Sequence, residues 1–92
     1  SKHTVLVSQS ALGNPKHYGE ADHERQQIIL NPRRGHLFLV LETLVHEAIH
    51  LMHKDWKHGT VNRYERDVMP LLTSQERQWI VYRAMTVATW RD

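Results

Sequence analysis

Ninety-two residues with a 40% apolar fraction allow one small domain, residues 1–92, around a single modest core. The absence of cysteine excludes a disulfide framework and every thiolate-held metal site, so any metal must be bound by His, Asp or Glu. A formal charge of +2, with Arg33 and Arg34 the only adjacent basic pair, forms no phosphate-binding stripe, and nucleic acid is a weakly supported partner.

In chain order, "HTVLVSQS" (3–10) partly alternates β-branched and aliphatic residues with polar ones and predicts a strand. "ALGNPKHYGE" (11–20) carries Gly13, Asn14, Pro15 and Gly19 and reads as turns. "HERQQIILN" (23–31) predicts a second strand, ended by Asn31-Pro32, with "NPRRG" (31–35) as the turn that leaves it. Its consecutive Ile28, Ile29 and Leu30 imply cover on both faces.

From Leu37 to about Lys54 the chain has no Gly or Pro and is apolar most of the way round, which predicts a buried central helix. "TVNRYERDVM" (60–69) is a short second helix stopped at Pro70. Thr73 and Glu76 form a capping box that opens a third helix, on which Trp79, Ile80, Tyr82 or Arg83, Val87 and Trp90 space out as the core-facing side. The order predicts an α+β fold: a small antiparallel sheet followed by three helices packed on one face. No segment has the length and apolarity of a membrane span and no signal-peptide core is visible, so a soluble, intracellular protein is expected. The start at Ser1 in place of Met is what an excised domain or a tag remnant gives.

The central helix carries "HEAIH". His46 and His50, at i and i+4, lie one turn apart on one face, so both rings can reach one ion. Glu47 sits beside that ion, where it can deprotonate a water whose pKa the metal has brought near 7. Two histidines and an acid in an otherwise apolar helix are costly unless paired, and a metal pairs all three.

A third protein ligand has two candidates. In an unbroken helix His58 would lie about 12 Å beyond His50 along the axis, and would reach the ion only if the helix stopped early and the chain curled back. If the central helix ends near Lys54 and the next starts near Thr60, Glu65 comes level with His50, at roughly 6–7.5 Å from the turn on each side. Glu65 is therefore the expected ligand and His58 the alternative; Glu65 also fits the third position of a capping box begun by Asn62. His53 is one turn too far along to share the ion. Asp55 and Asp67 read as solvated charges, and His3, His17, His23 and His36 have no implicating spacing.

"LETLVHEAIHL" resembles the active-site helix of minimal zincin metallopeptidases, the SprT-like and ImmA/IrrE-like families and their small phage-encoded relatives, and "YGEADHERQQIILNP" resembles their strand–turn–strand entry. The resemblance covers roughly residues 18–69 and is sharply specific only at HEAIH. It implies Zn2+ held by His46 and His50, Glu47 as general base, and a glutamate of the next helix as third ligand in the gluzincin manner, at Glu65. The "KHG" at 57–59 echoes the third histidine of SprT-like members, although its gap from His50 is shorter than theirs. A peptide substrate lying along "ERQQIIL" by strand addition is implied as well.

The leading expectation is thus a zinc-dependent peptidase. A non-catalytic zinc-stabilised interaction domain is the alternative, since metal binding adds directly to the stability of a small core; a DNA-associated SprT-like module is the third.

Overall fold

A computed structural model describes residues 4–33 and 37–91. The expected strand's first residue, His3, and the last two of the expected turn, Arg34 and Gly35, lie outside the described residues, as does His36. The fold is α+β. Four strands, β1 (Thr4–Val7), β2 (Gly19–Asp22), β3 (Gln27–Leu30) and β4 (Thr89–Trp90), form one sheet in the order β2-β3-β1-β4. Three helices, α1 (Leu37–Met52), α2 (His58–Val68) and α3 (Ser74–Val87), lie between β3 and β4, with a 3-10 turn at Met69–Leu71.

The sheet corrects the antiparallel expectation. β1 pairs parallel with both β3 and β4, and only β2–β3 is antiparallel. The reason is a strand that periodicity cannot reveal: Gly-Glu-Ala-Asp of β2 has no apolar alternation, yet it pairs along its whole length with β3. The chain runs from β1 through residues 8–18 to the far edge of the sheet, then returns by a hairpin to place β3 beside β1. Asp22 organises that hairpin, accepting from the backbone N–H of Glu24 (3.1 Å) and Arg25 (3.2 Å). Gln26 takes the left-handed conformation, φ 51°.

The core follows from two kinds of periodicity meeting. Val5, Val7, Ile28 and Leu30 project from one sheet face onto Val40, Leu44 and Leu51 of α1. Leu6 and Ile29, on the other face, are buried as well, in keeping with the consecutive apolar run. α1 lies across β2 and β3 while α3 lies against β1. The third helix begins as expected: Thr73 Oγ1 accepts from Glu76 N–H at 3.1 Å, and Glu76 Oε1 from Thr73 N–H at 2.8 Å. Its buried side agrees with expectation at Ile80 and differs elsewhere. Ile80, Val81, Ala84, Met85 and Ala88 pack on the core, while Trp79, Tyr82 and Trp90 are more than 60% exposed. The small side chains of Ala84 and Ala88 let the helix approach the sheet; the aromatics are too bulky for that seam. No helix among the described residues is long and apolar enough to cross a membrane.

One glycine sets the distance between sheet and helix. A Cβ on Gly19 would lie 2.6 Å from Thr43 Cγ2 and 2.9 Å from the Ile29 carbonyl oxygen, with Glu47 Cγ at 3.6 Å. Only a residue without a side chain allows β2 to run this close to the turn of α1 that carries Glu47.

Candidate metal centre

α1 presents His46, Glu47 and His50 on the side facing β2 and α2. It ends at Met52, two residues earlier than expected, and α2 begins at His58, also two residues early. That pair of shifts decides which side chains meet. His50 is now two residues before the end of α1 and His58 opens α2, so the reversal of the chain brings the rings together. The ring centroids of His46 and His50 are 4.8 Å apart, those of His46 and His58 4.8 Å, and those of His50 and His58 5.8 Å. One nitrogen from each ring lies within 4.8 Å of the others, the arrangement of a group that can hold a metal ion.

Glu65 falls one turn further along. At 1.5 Å per residue it is about 10.5 Å into α2, level with His46 at about 9 Å from the end of α1. Its Oε1 is 2.8 Å from His46 Nδ1, and both side chains are largely buried, 14% exposed for His46 and 19% for Glu65. His46, His50 and His58 are the group whose ligand atoms converge, with Glu65 bonded to His46 beside it, and the capping-box reading of Glu65 fails because α2 starts before Asn62. A carboxylate only accepts, so Nδ1 of His46 carries the proton and Nε2 keeps a lone pair for the cluster. This is the outer partner that metal-binding histidines ordinarily have, fixing tautomer and ring orientation.

The donor set suits a borderline divalent ion. Three imidazoles converge, no thiolate is present, and nitrogen–nitrogen separations of up to 4.8 Å are within side-chain adjustment of the roughly 3.3 Å that a tetrahedral ion with bonds near 2.0 Å needs. His46 and His50 are half-buried and His58 is exposed, so the cluster opens to solvent on one side.

Electrostatics prepare the groups for that use. Burial pushes the Glu47 carboxyl up to about 7, and the nearby charges of Glu20 and Glu65 add to the effect. Burial also lowers His50, helped by His46, His58 and His23, so its ring is held neutral and free to bind a cation. Around Glu20 burial works against the charge, but the backbone N–H groups of Gly13 and Asn14 and the His17 ring outweigh it and hold the carboxyl below its ordinary range.

The cluster lies in a cleft of about 650 Å³. Glu42, Thr43 and the site residues of α1 and α2 form one wall; β2 and the loop before it, with Lys16 and Tyr18, form the other. The strand beside the cleft is not the one expected. β3, which contains most of "ERQQIIL", is bonded to β2 on one side and β1 on the other, so it has no free edge. β2 is the edge strand, and Gly19 and Ala21 line the cleft. The loop of that wall is pinned from below by Asn31, 1% exposed, whose Nδ2 donates to the carbonyls of Pro15 and His17, each at 2.8 Å.

His23, in the β2–β3 hairpin, also lines the cleft, though its spacing from the HEAIH helix gave no reason to include it. His53 stacks on Trp56 and stays out of the cluster. Asp55 and Asp67 are exposed. No protein family, characterised protein or solved structure matches the chain.

Proposed function

We propose that the chain is a zinc-dependent peptidase of the minimal zincin kind, with His46, His50 and His58 holding the ion and Glu47 as general base. The observation that carries this reading is the half-buried Glu47 carboxyl beside three convergent imidazoles, lining an open cleft. The third histidine, followed by Gly59, favours the SprT-like ligand pattern over the gluzincin one.

Zinc bound here supplies Lewis acidity, polarising a scissile carbonyl and making water a usable nucleophile at neutral pH. The chain does the rest. Glu47, beside the histidine cluster, would take the proton from the attacking water and deliver it to the leaving amine. Glu65 holds His46 in the tautomer that leaves Nε2 available. The free edge of β2 offers backbone N–H and C=O groups to an extended peptide lying along the cleft.

Glu47→Gln tests the reading against a purely structural metal site. The variant is expected to keep one zinc per chain, measured by metal analysis, and to lose hydrolysis of a library of unstructured fluorogenic peptides. Equal hydrolysis by Glu47→Gln and the parent chain, or none by either with zinc bound, contradicts it.

A further inference from the structure

We infer that the ring stack of His53, Trp56 and Tyr64 is a positioning device for His58, fixing the α1–α2 connection so that the third imidazole reaches the other two. Its consequence for metal binding rests on the proposed zinc site; its structural part does not.

Residues 53–57 have to reverse the chain and land the His58 ring 4.8 Å from His46. Their backbone is bonded at the two ends and less in between. His53 N–H donates to the Ile49 carbonyl at 2.9 Å, Trp56 N–H to the His53 carbonyl at 3.0 Å, and the Lys57 carbonyl accepts from the N–H groups of Thr60 and Val61, each at 3.0 Å. Lys57, at the cap of α2, makes no side-chain capping bond, and Lys54, Asp55 and Lys57 are exposed. Leu51 and Val61 are buried on either side, but the exposed residues between them have many conformations of similar energy unless something holds them.

The rings provide what is missing. His53 lies flat on Trp56 with centroids 3.7 Å apart and planes within 7°. Tyr64 meets Trp56 edge-on at 5.3 Å and 70°, and His53 at 6.0 Å and 63°. The three rings come from the residue after α1, from the turn, and from the second turn of α2, so they bracket His58 on both sides in the chain. Trp56 precedes His58 by two residues; Tyr64 is next to Glu65, which holds His46.

Trp56 and His53 are only half-buried and Tyr64 is 42% exposed, and none belongs to the hydrophobic core. Removing a ring therefore loosens the connection without hollowing the core.

The test uses the metal-free chain first. NMR cross-peaks between the ring protons of His58 and those of His46 and His50 are expected in the parent chain, in Trp56→Phe and in His53→Phe. They are expected to vanish in Trp56→Ala while the far-ultraviolet circular dichroism and the Ile49 and Val61 methyl signals are unchanged. Cross-peaks that persist in Trp56→Ala overturn the proposal; if that variant unfolds, Tyr64→Ala replaces it and is judged by the same signals. Titration with zinc is the second arm. Trp56→Ala is expected to bind about tenfold more weakly than the parent, the ratio one aromatic pair supports, and His53→Phe to bind as the parent does. Equal zinc affinity in Trp56→Ala, or loss in His53→Phe as complete as in His58→Ala, overturns the positioning role. A parent chain that binds no zinc refutes the proposed function instead, and the metal-free spectra still decide the stack.

Discussion

The two walls of the cleft are built on different principles. The helical wall holds its chemistry on regular backbone: His46 and His50 are one turn apart because an α-helix makes them so, and Glu65 meets His46 because two antiparallel helices come level. The strand wall has almost no pattern of its own. β2 is four residues without a hydrophobic repeat, held by its pairing with β3, by Glu20 on the N–H groups of Gly13 (2.7 Å) and Asn14 (3.0 Å), and by Asn31 from beneath. A wall set by helical periodicity is tolerant of its surroundings; a wall set by a few polar bonds and one glycine is not. Mutations should therefore act on metal affinity from one side and on the shape of the cleft from the other.

The largest effect is expected on the helical wall. His58→Ala should cost roughly 2.5–4 kcal/mol of zinc binding, an equal share of the about 10–16 kcal/mol typical of a four-ligand site, while leaving the melting temperature of the metal-free chain unchanged. Calorimetric titration of both proteins checks this. Gly19→Ala comes next and should strike the other wall. A Cβ 2.6 Å from Thr43 Cγ2 has to push β2 from α1, at about 2–3 kcal/mol of stability in denaturant unfolding, with the zinc ligands themselves untouched.

Glu65→Gln should be gentler. It keeps an acceptor for His46 Nδ1 but removes the charge, and zinc affinity should fall about 10–100-fold with the ion still held. A complete loss would make Glu65 a ligand after all and merge its role with that of His58.

The smallest effect separates the walls by pH. Glu20 has its folded-state pKa lowered, so its contribution is fully present above the ordinary glutamate value and is lost as pH falls through the folded one. The protection factors of the Gly13 and Asn14 amides, corrected for the intrinsic pH dependence of exchange, should fall on acidification below that ordinary value, and in Glu20→Gln should be low already at neutral pH. Exchange that is insensitive to both would mean that Asn31 alone holds the loop.

The same contrast explains what the sequence revealed. HEAIH, the central helix and the capping box at Thr73 are local patterns, and each is found where its spacing implies. Which side chain joins His46 and His50 depended on where α1 stops, and nothing in "MHKDWK" forbids further helical turns. Just past the helix end Trp56 folds back on His53, a contact outside any periodic signal. β2 was hidden among turn residues for a related reason: its partner is chosen by a hairpin that Asp22 builds, and its place by the one glycine that fits against Thr43. The buried side of α3 misled in the opposite way, because large aromatics suggested a core-facing stripe that small alanines occupy.

The most direct test of the central claim is anomalous diffraction at the zinc edge from crystals of the chain purified without chelator. The account predicts a single peak bounded by nitrogens of His46, His50 and His58 at about 2.0–2.1 Å, with Glu65 still on His46 Nδ1 and Glu47 facing the open side. A peak closed by Glu65 with His58 turned to solvent, or no peak after soaking in zinc, would contradict it.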